Sequence, residues 1–130
     1  MARVIILDAN VLIGYFDEDD VHHHASVDLV RNRFTEGLAK NVLSAAEILV
    51  RPTSAHRKDA VLAALANVQV RIIPVDSTQA APLARVRETY RLRMPDAVAL
   101  FNAISTGSAL ATFDDALKWA ASRAGITIAI

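Results

Sequence analysis

Short apolar runs alternate with helical segments along the whole chain, and this alternation limits the possible folds more than any other feature. The runs that predict strands are Val4 to Leu7, Val42-Leu43, and the segments 70–76, 109–113 and 126–130. The segments between them carry apolar residues at helical spacing. Strands that alternate with helices in this way predict an α/β fold: a small, mostly parallel β-sheet flanked by α-helices on both faces, an α/β/α sandwich.

Length and composition fit one soluble domain, residues 1–130. The chain has no cysteine, which excludes thiolate metal sites and cysteine nucleophiles. No apolar stretch approaches the roughly 20 residues that a membrane helix requires, so we expect a cytoplasmic protein. Lys plus Arg and Asp plus Glu balance at 14 each, so any nucleic-acid binding must come from a local patch or from bound metal ions.

The stretch "VIILDANVLIGYF", residues 4–16, places a carboxylate between two apolar runs. Asp8 directly follows the first predicted strand, and a charged side chain in such surroundings is costly unless something neutralises it. A hydrogen-bonded turn or a metal ion could do so. Asn10, two positions on, is a plausible N-cap for a helix from Val11 to Phe16.

Three further acids are predicted at the same edge of the sheet as Asp8. Asp114 ends the predicted strand 109–113, and Glu47 and Asp96 lie in the first turns of two predicted helices. Because ligands of open α/β sheets bind beyond the carboxyl ends of the strands, the four acids are expected to share one site.

Each acid also has a purely structural explanation. The segment "SAAE", 44–47, has the pattern of a capping box, and an acid such as Asp96 is common in the first turn of a helix. Asp114 or Asp115 could be only an N-cap, and so could Asp8. Against this, clustered carboxylates repel one another unless a cation lies among them. Oxygen ligands favour Mg²⁺ or Mn²⁺, which bind phosphates and activate water.

Four segments of this chain, in order, resemble the acidic motifs of PIN-domain ribonucleases: "VIILDANVLIGYF", "LSAAEILVRP", "MPDAVALFNAI" and "LATFDDAL". The size and the segment "HHHASVDLV" are similar to the VapC toxin branch of that family. The resemblance implies that the catalytic, metal-binding acids are Asp8, Glu47, Asp96 and Asp114, with Asn10, Thr112 and the neighbouring acid Asp115 in supporting positions.

The same resemblance implies a function. It is that of a toxin of a type II toxin–antitoxin system, a Mg²⁺- or Mn²⁺-dependent endoribonuclease that cleaves transfer or ribosomal RNA. The implied partners are a VapB-type antitoxin and a second copy of the chain in a homodimer. The alternatives are a catalytically silent PIN-like binding module, a haloacid-dehalogenase-like phosphatase and a receiver-type signalling domain.

Three other features are given structural interpretations. Consecutive histidines 22–24 point in different directions on a helix, so they are not expected to chelate one ion. The arginines between 85 and 93 are expected on a solvated helix flank, with contact to an RNA backbone as the lesser alternative. Leu117 and Trp119 are expected in the core or in a subunit interface rather than as base-stacking groups.

Overall fold

The computed structural model describes residues 4–50, 58–67, 69–74 and 76–130. These residues contain four strands: β1 (Ile5–Leu7), β2 (Leu38–Asn41), β3 (Val70–Ile73) and β4 (Ala109–Ala111). The strands form a parallel sheet with the spatial order β3-β2-β1-β4. Strand β1 is an inner strand, with Ile5 opposite Leu38 on one side and Ala109 on the other.

Helices cover both faces of this sheet, as the alternation of strands and helices predicts. Side chains alternate between the faces of a strand, so Ile5 and Leu7 of β1 join one apolar core while Ile6 joins the other. The helices are α1 (Ala9–Phe16), α2 (His23–Arg33), α3 (Val42–Leu49), α4 (Lys58–Asn67), α5 (Ala80–Tyr90), α6 (Met94–Thr106) and α7 (Asp115–Arg123). The predicted α/β/α fold class is confirmed.

Helix α6 is the most deeply packed helix of the fold, with every residue from 96 to 103 buried. Pro95 lies in its first turn, where the missing backbone N–H costs nothing, and Gly107 ends it with a left-handed φ of 65°. Both ends lie where the sequence predicts them. The start of α6 thereby holds Asp96 rigidly at the edge of the sheet.

The boundary between β2 and α3 differs from the prediction. The structure has a strand at Leu38–Asn41, and Val42-Leu43, predicted as a strand, is the first turn of α3. Asn41 is the N-cap, because its Oδ1 accepts a hydrogen bond of 2.8 Å from the backbone N–H of Leu43. The predicted capping box at 44–47 is therefore wrong, and Glu47 lies in the second turn of α3.

Other predicted boundaries also shift. The acidic segment 17–20 predicts the start of a helix, but α2 begins only at His23. The predicted strand 126–130 is reduced to an isolated parallel bridge between Leu110 and Ile128. Strands β3 and β4 are shorter than predicted. The alanine-rich segment 55–66 predicts a helix whose first residues lie outside the described ones, and α4 is observed from Lys58.

Within the part of the chain that the structure describes, no helix combines the length and the apolarity that crossing a membrane requires.

Candidate active site

Asp8 lies between the end of β1 and the start of α1, with only 6% of its surface exposed. Its Oδ1 accepts a hydrogen bond of 2.8 Å from the backbone N–H of Ala9, and its Oδ2 accepts one of 2.6 Å from Thr112 Oγ1. Asp8 is thus the N-cap of α1, and the predicted N-cap Asn10 is already inside the helix. These bonds offset part of the cost of burying the carboxylate.

The hydroxyl of Thr112 connects the chain segments that follow β1 and β4. It donates a hydrogen bond to Asp8. It also accepts two hydrogen bonds, one of 3.3 Å from Asn10 Nδ2 and one of 3.1 Å from the backbone N–H of Asp114. Asn10 also accepts a hydrogen bond of 3.2 Å from the backbone N–H of Phe113. Asn10 therefore orients the loop after β4, and its bonds go to that loop rather than to a site carboxylate.

Asp114 and Asp115 are adjacent, and the structure separates them. Asp114 is the N-cap of α7, since its Oδ1 accepts a hydrogen bond of 3.1 Å from the backbone N–H of Leu117. Its side chain lines a cleft at the end of β4, whereas Asp115 is the first helical residue, is exposed and does not line this cleft. Of the two acids, Asp114 is the one that lies beside Asp8.

Asp96, in the first turn of α6, is 8% exposed. Burial raises the pKa of its carboxyl above the ordinary value, and the nearby charges of Asp8 and Asp114 raise it further. Arg93 opposes this rise, with its Nε 3.5 Å from Asp96 Oδ2. Burial is thus the main cause of the shift, and the smaller contributions show that the charges of Asp8 and Asp114 lie close enough to act on Asp96.

The four predicted acids share one cleft of about 270 Å³ at the carboxyl ends of β1 and β4. Glu47 is the most open of them and reaches the cleft from α3. Among the described residues, no three acidic, histidine or cysteine side chains stand close enough together to hold a metal ion as they are placed. The cleft is lined by Asp8, Ala9, Asn10, Ile13, Glu47, Arg93, Pro95, Asp96 and Asp114.

Lys40 lies behind this cleft and was not predicted as part of the site. It is fully buried in β2, and its Nζ donates a hydrogen bond of 3.3 Å to the backbone oxygen of Leu7. Burial lowers its pKa to about 8, although the negative charges of Asp8 and Glu47 act in the opposite direction. A lysine directly after the apolar residues Leu38 and Ala39 is the signal that could have revealed it.

The histidines 22–24 do not converge on one site. The His22 ring stacks on Phe113, with ring centroids 4.0 Å apart, and His23 Nδ1 lies 2.8 Å from the backbone oxygen of Gly14. The His23 and His24 rings are in edge contact, with centroids 5.5 Å apart. That the three form no common metal site stays a prediction.

Solved structures of several bacterial complexes have the same fold as this chain. FitAB bound to a DNA fragment superposes with a TM-score of 0.72 at 18% sequence identity, covering 95% of this chain and 92% of the other. VapBC2 from Rickettsia felis, bound to a promoter DNA fragment, gives 0.70 at 12% identity, covering 96% of each chain. FitAcB from Neisseria gonorrhoeae gives 0.69 at 20% identity, covering 95% of each chain.

A comparison with curated protein sequences gives no significant match. A sequence profile described as the PIN domain, however, matches residues 5–122, a span that includes all four acids of the cleft. The profile match covers most of the chain and agrees with the parallel sheet flanked by helices. The chain belongs to the PIN domain family.

Proposed function

We propose that this chain is a metal-dependent endoribonuclease, with Asp8, Glu47, Asp96 and Asp114 as its catalytic and metal-binding residues. The observation that carries the proposal is that these four carboxylates line a single cleft of a PIN domain. A phosphodiester is an anion, and an acidic cleft would repel it. Hydrolysis there therefore requires cations among the carboxylates.

The donor set fits a divalent cation such as Mg²⁺ or Mn²⁺, because every candidate ligand is a carboxylate oxygen. Three of the acids act on one another electrostatically, as the raised pKa of Asp96 indicates. A divalent ion held by these acids would stabilise charge on the scissile phosphate and lower the pKa of water.

The chain's own residues supply orientation and an initial attraction for RNA. Thr112 and Asn10 hold Asp8 and the loop before Asp114 in fixed positions. Arg93, whose side chain is 79% exposed, lies at the mouth of the cleft and can donate to a phosphate oxygen of the backbone. The proposed substrate is transfer or ribosomal RNA.

The same proposal makes this chain the toxin of a type II toxin–antitoxin system. It rests on the VapC-like motifs and on the fold shared with the toxin–antitoxin structures FitAB and VapBC2. A VapB-type antitoxin would insert an arginine among the carboxylates, where bidentate, charge-assisted bonds are available. Its apolar helix would pack in a groove of about 270 Å³ lined by Tyr15, Val27, Val30, Arg31, Phe34 and Asn67.

A homodimer is part of the proposal as well. Several large apolar side chains are exposed, including Val21, Val50 and Leu43, and contact with a second copy would bury some of this apolar surface. Light scattering should give twice the monomer mass of 14.1 kDa. A mass that stays at the monomer value at micromolar concentration would contradict the dimer.

Metal removal and replacement test the nuclease proposal directly. Purified protein is incubated with transfer RNA and ribosomal RNA fragments in Mg²⁺ or Mn²⁺, then with EDTA, and then with the metal restored. We expect cleavage that stops with EDTA and returns with the metal. Cleavage that persists in EDTA would contradict the metal-dependent mechanism.

A catalytically silent PIN-like binding module is the second candidate, because no three acids of the described chain already stand at metal-binding separation. It predicts that RNA binds without being cut at any metal concentration. The phosphatase and receiver alternatives are not retained, since the chain belongs to the PIN domain family.

A further inference from the structure

Trp119 is the only tryptophan of the chain, and 59% of it is exposed on α7. Of the expected positions, the core is wrong for Trp119 while a subunit interface stays a prediction; Leu117 is fully buried as expected. The Arg123 guanidinium carbon lies 4.9 Å from the centroid of the Trp119 ring, one helical turn further along α7. An exposed indole beside a cation is the combination that binds nucleobases and phosphates in single-stranded nucleic acid.

The two side chains form one wall of a cavity of about 320 Å³, completed by Thr89, Tyr90 and Arg91. The volume is within the range of sites for small molecules or single nucleotides. Within the described part of the chain, neither Arg91 nor Arg123 forms an ion pair with a carboxylate. Their charges are therefore available to phosphate oxygens.

Two segments of the chain, residues 91–93 and helix α7, run from this cavity to the acidic cleft. Arg91 ends α5 and lines the cavity, while Arg93, two residues later, lines the cleft; buried Leu92 anchors the segment between them. On α7, Asp114 lines the cleft and Trp119 lines the cavity. Trp119 follows Asp114 by five residues, which is about 8 Å along the axis of α7. A short single strand of RNA can span this distance.

The distribution of charge favours RNA at this end of the molecule. The net charge of zero hides a segregation: residues 4–30 contain six carboxylates and no lysine or arginine. The segments 85–93 and 115–123 around the cavity instead carry six basic residues against two acids, Glu88 and Asp115; the basic residues are Arg85, Arg87, Arg91, Arg93, Lys118 and Arg123. A phosphate backbone that enters the cleft is attracted toward this cationic side and repelled from the acidic one.

We infer that Tyr90, Arg91, Trp119 and Arg123 form a subsite for single-stranded RNA, in which a flanking base stacks on Trp119 while the two arginines bind the adjoining phosphates. The inference rests on the proposed ribonuclease function, since it names how that site would hold its substrate. The subsite recognises an unpaired base by its aromatic face, so it favours loops over duplexes.

The single tryptophan makes the test direct, because its fluorescence reports on one position. The experiment uses the full chain with Asp8→Asn, titrated with a short single-stranded oligoribonucleotide and with a duplex of the same length. We expect saturable quenching by the single strand that is reversed by salt, and little quenching by the duplex. In fluorescence anisotropy with labelled RNA, Trp119→Ala should weaken binding roughly tenfold or more, and Trp119→Phe should largely restore it.

The arginines are tested with a matched control. Arg91→Gln and Arg123→Gln should each weaken binding and reduce the salt dependence of the affinity. Arg71→Gln removes an exposed arginine from β3, at the edge of the sheet opposite β4, and should leave RNA binding close to that of the parent. An equal loss from all three changes would overturn the subsite in favour of a general charge effect.

The remaining outcomes separate the subsite from the nuclease proposal. RNA cleavage that depends on the cleft acids, without quenching of Trp119, would overturn the subsite and leave the proposed function standing. Trp119→Ala could instead dissociate a dimer while leaving the RNA affinity per monomer unchanged. That result would overturn the subsite, because it would assign this surface to contact with a second copy of the chain. Absence of both RNA binding and cleavage would overturn both proposals together.

Discussion

Thr112 Oγ1 donates a hydrogen bond of 2.6 Å to Asp8 Oδ2, which ties the loop after β4 to the end of β1. The two residues are 104 positions apart in the chain, and both are buried. The same hydroxyl accepts from Asn10 and from the backbone N–H of Asp114. One small side chain thus fixes two of the four proposed catalytic acids relative to each other.

Replacing Thr112 with valine should disturb both stability and activity. Valine keeps the shape of threonine but removes the hydroxyl. Asp8, Asn10 and the backbone N–H of Asp114 then each lose a buried or partly buried hydrogen bond. We expect the free energy of unfolding to fall by about 1–3 kcal/mol in urea denaturation, together with reduced RNA cleavage. Thr112→Ser keeps the hydroxyl and is the control. Unchanged stability in Thr112→Val would contradict this network.

Substitutions of the neighbouring acids Asp114 and Asp115 form a matched pair that tests which of the two belongs to the catalytic cleft. Asp114→Asn keeps the N-cap of α7, because asparagine caps as well as aspartate, but it removes a charge from the cleft. Its cleavage rate should fall by about tenfold or more. Asp115→Asn removes an exposed charge outside the cleft and should remain near the parent rate. The reverse ranking in single-turnover assays would make Asp115 the fourth acid.

Lys40 gives the stability a defined dependence on pH. Its pKa is lowered from 10.5 in the unfolded chain to about 8 in the fold, so the unfolded state binds more protons between these values. Stability contributed through Lys40 therefore rises as the pH increases across that window. We compare the free energy of unfolding of the parent with that of Lys40→Met. The parent value minus the variant value should rise by about 3 kcal/mol between pH values of about 8 and 10.5. A difference that is flat with pH would show that the Lys40 pKa is ordinary.

Gly14 lies where α1 packs against α2, and a side chain has no room there. A Cβ would lie 2.6 Å from Ser26 Oγ and 3.3 Å from the backbone oxygen of His22. Gly14→Ala should therefore lower the free energy of unfolding by about 1–3 kcal/mol. Ser26→Ala removes the first obstacle, so the double variant should lose less than the sum of the single changes. Additive losses in denaturant titrations would contradict this contact.

Sequence reasoning could place these acids at one edge of the sheet because their positions follow from local rules. Asp8 follows an apolar strand, Asp96 follows a proline at a helix start, and Asp114 follows a strand and caps a helix. The rule that parallel strands end at one edge then brings them together. Sequence alone could not decide whether Asp8 and Asp114 serve as helix N-caps or as metal ligands. In the structure both residues cap helices and also line the cleft, so the two roles do not exclude each other.

The errors arose where tertiary contacts override local preference. The segment 38–41 contains Lys40, which is unfavourable in a buried strand until the Leu7 carbonyl and the charge of Asp8 are close by. The strand was therefore predicted four residues late, and Glu47 was assigned to a cap that Asn41 provides. Residue type predicts a core or interface position for Trp119, but local sequence does not show that its side of α7 is left uncovered by the rest of the chain.

RNA cleavage by Asp8→Asn is the most direct test of the proposed function. Asparagine can still cap α1. It loses the oxygen that accepts from Thr112, but its neutral side chain also removes the repulsion with Asp96, so a native circular dichroism spectrum and a denaturation midpoint near that of the parent are expected. Since changes around metal ligands typically cost 10–100-fold in activity, loss of this carboxylate should lower the single-turnover rate with Mg²⁺ or Mn²⁺ by about 100-fold or more. A folded Asp8→Asn protein that cleaves RNA at the parent rate would contradict the account.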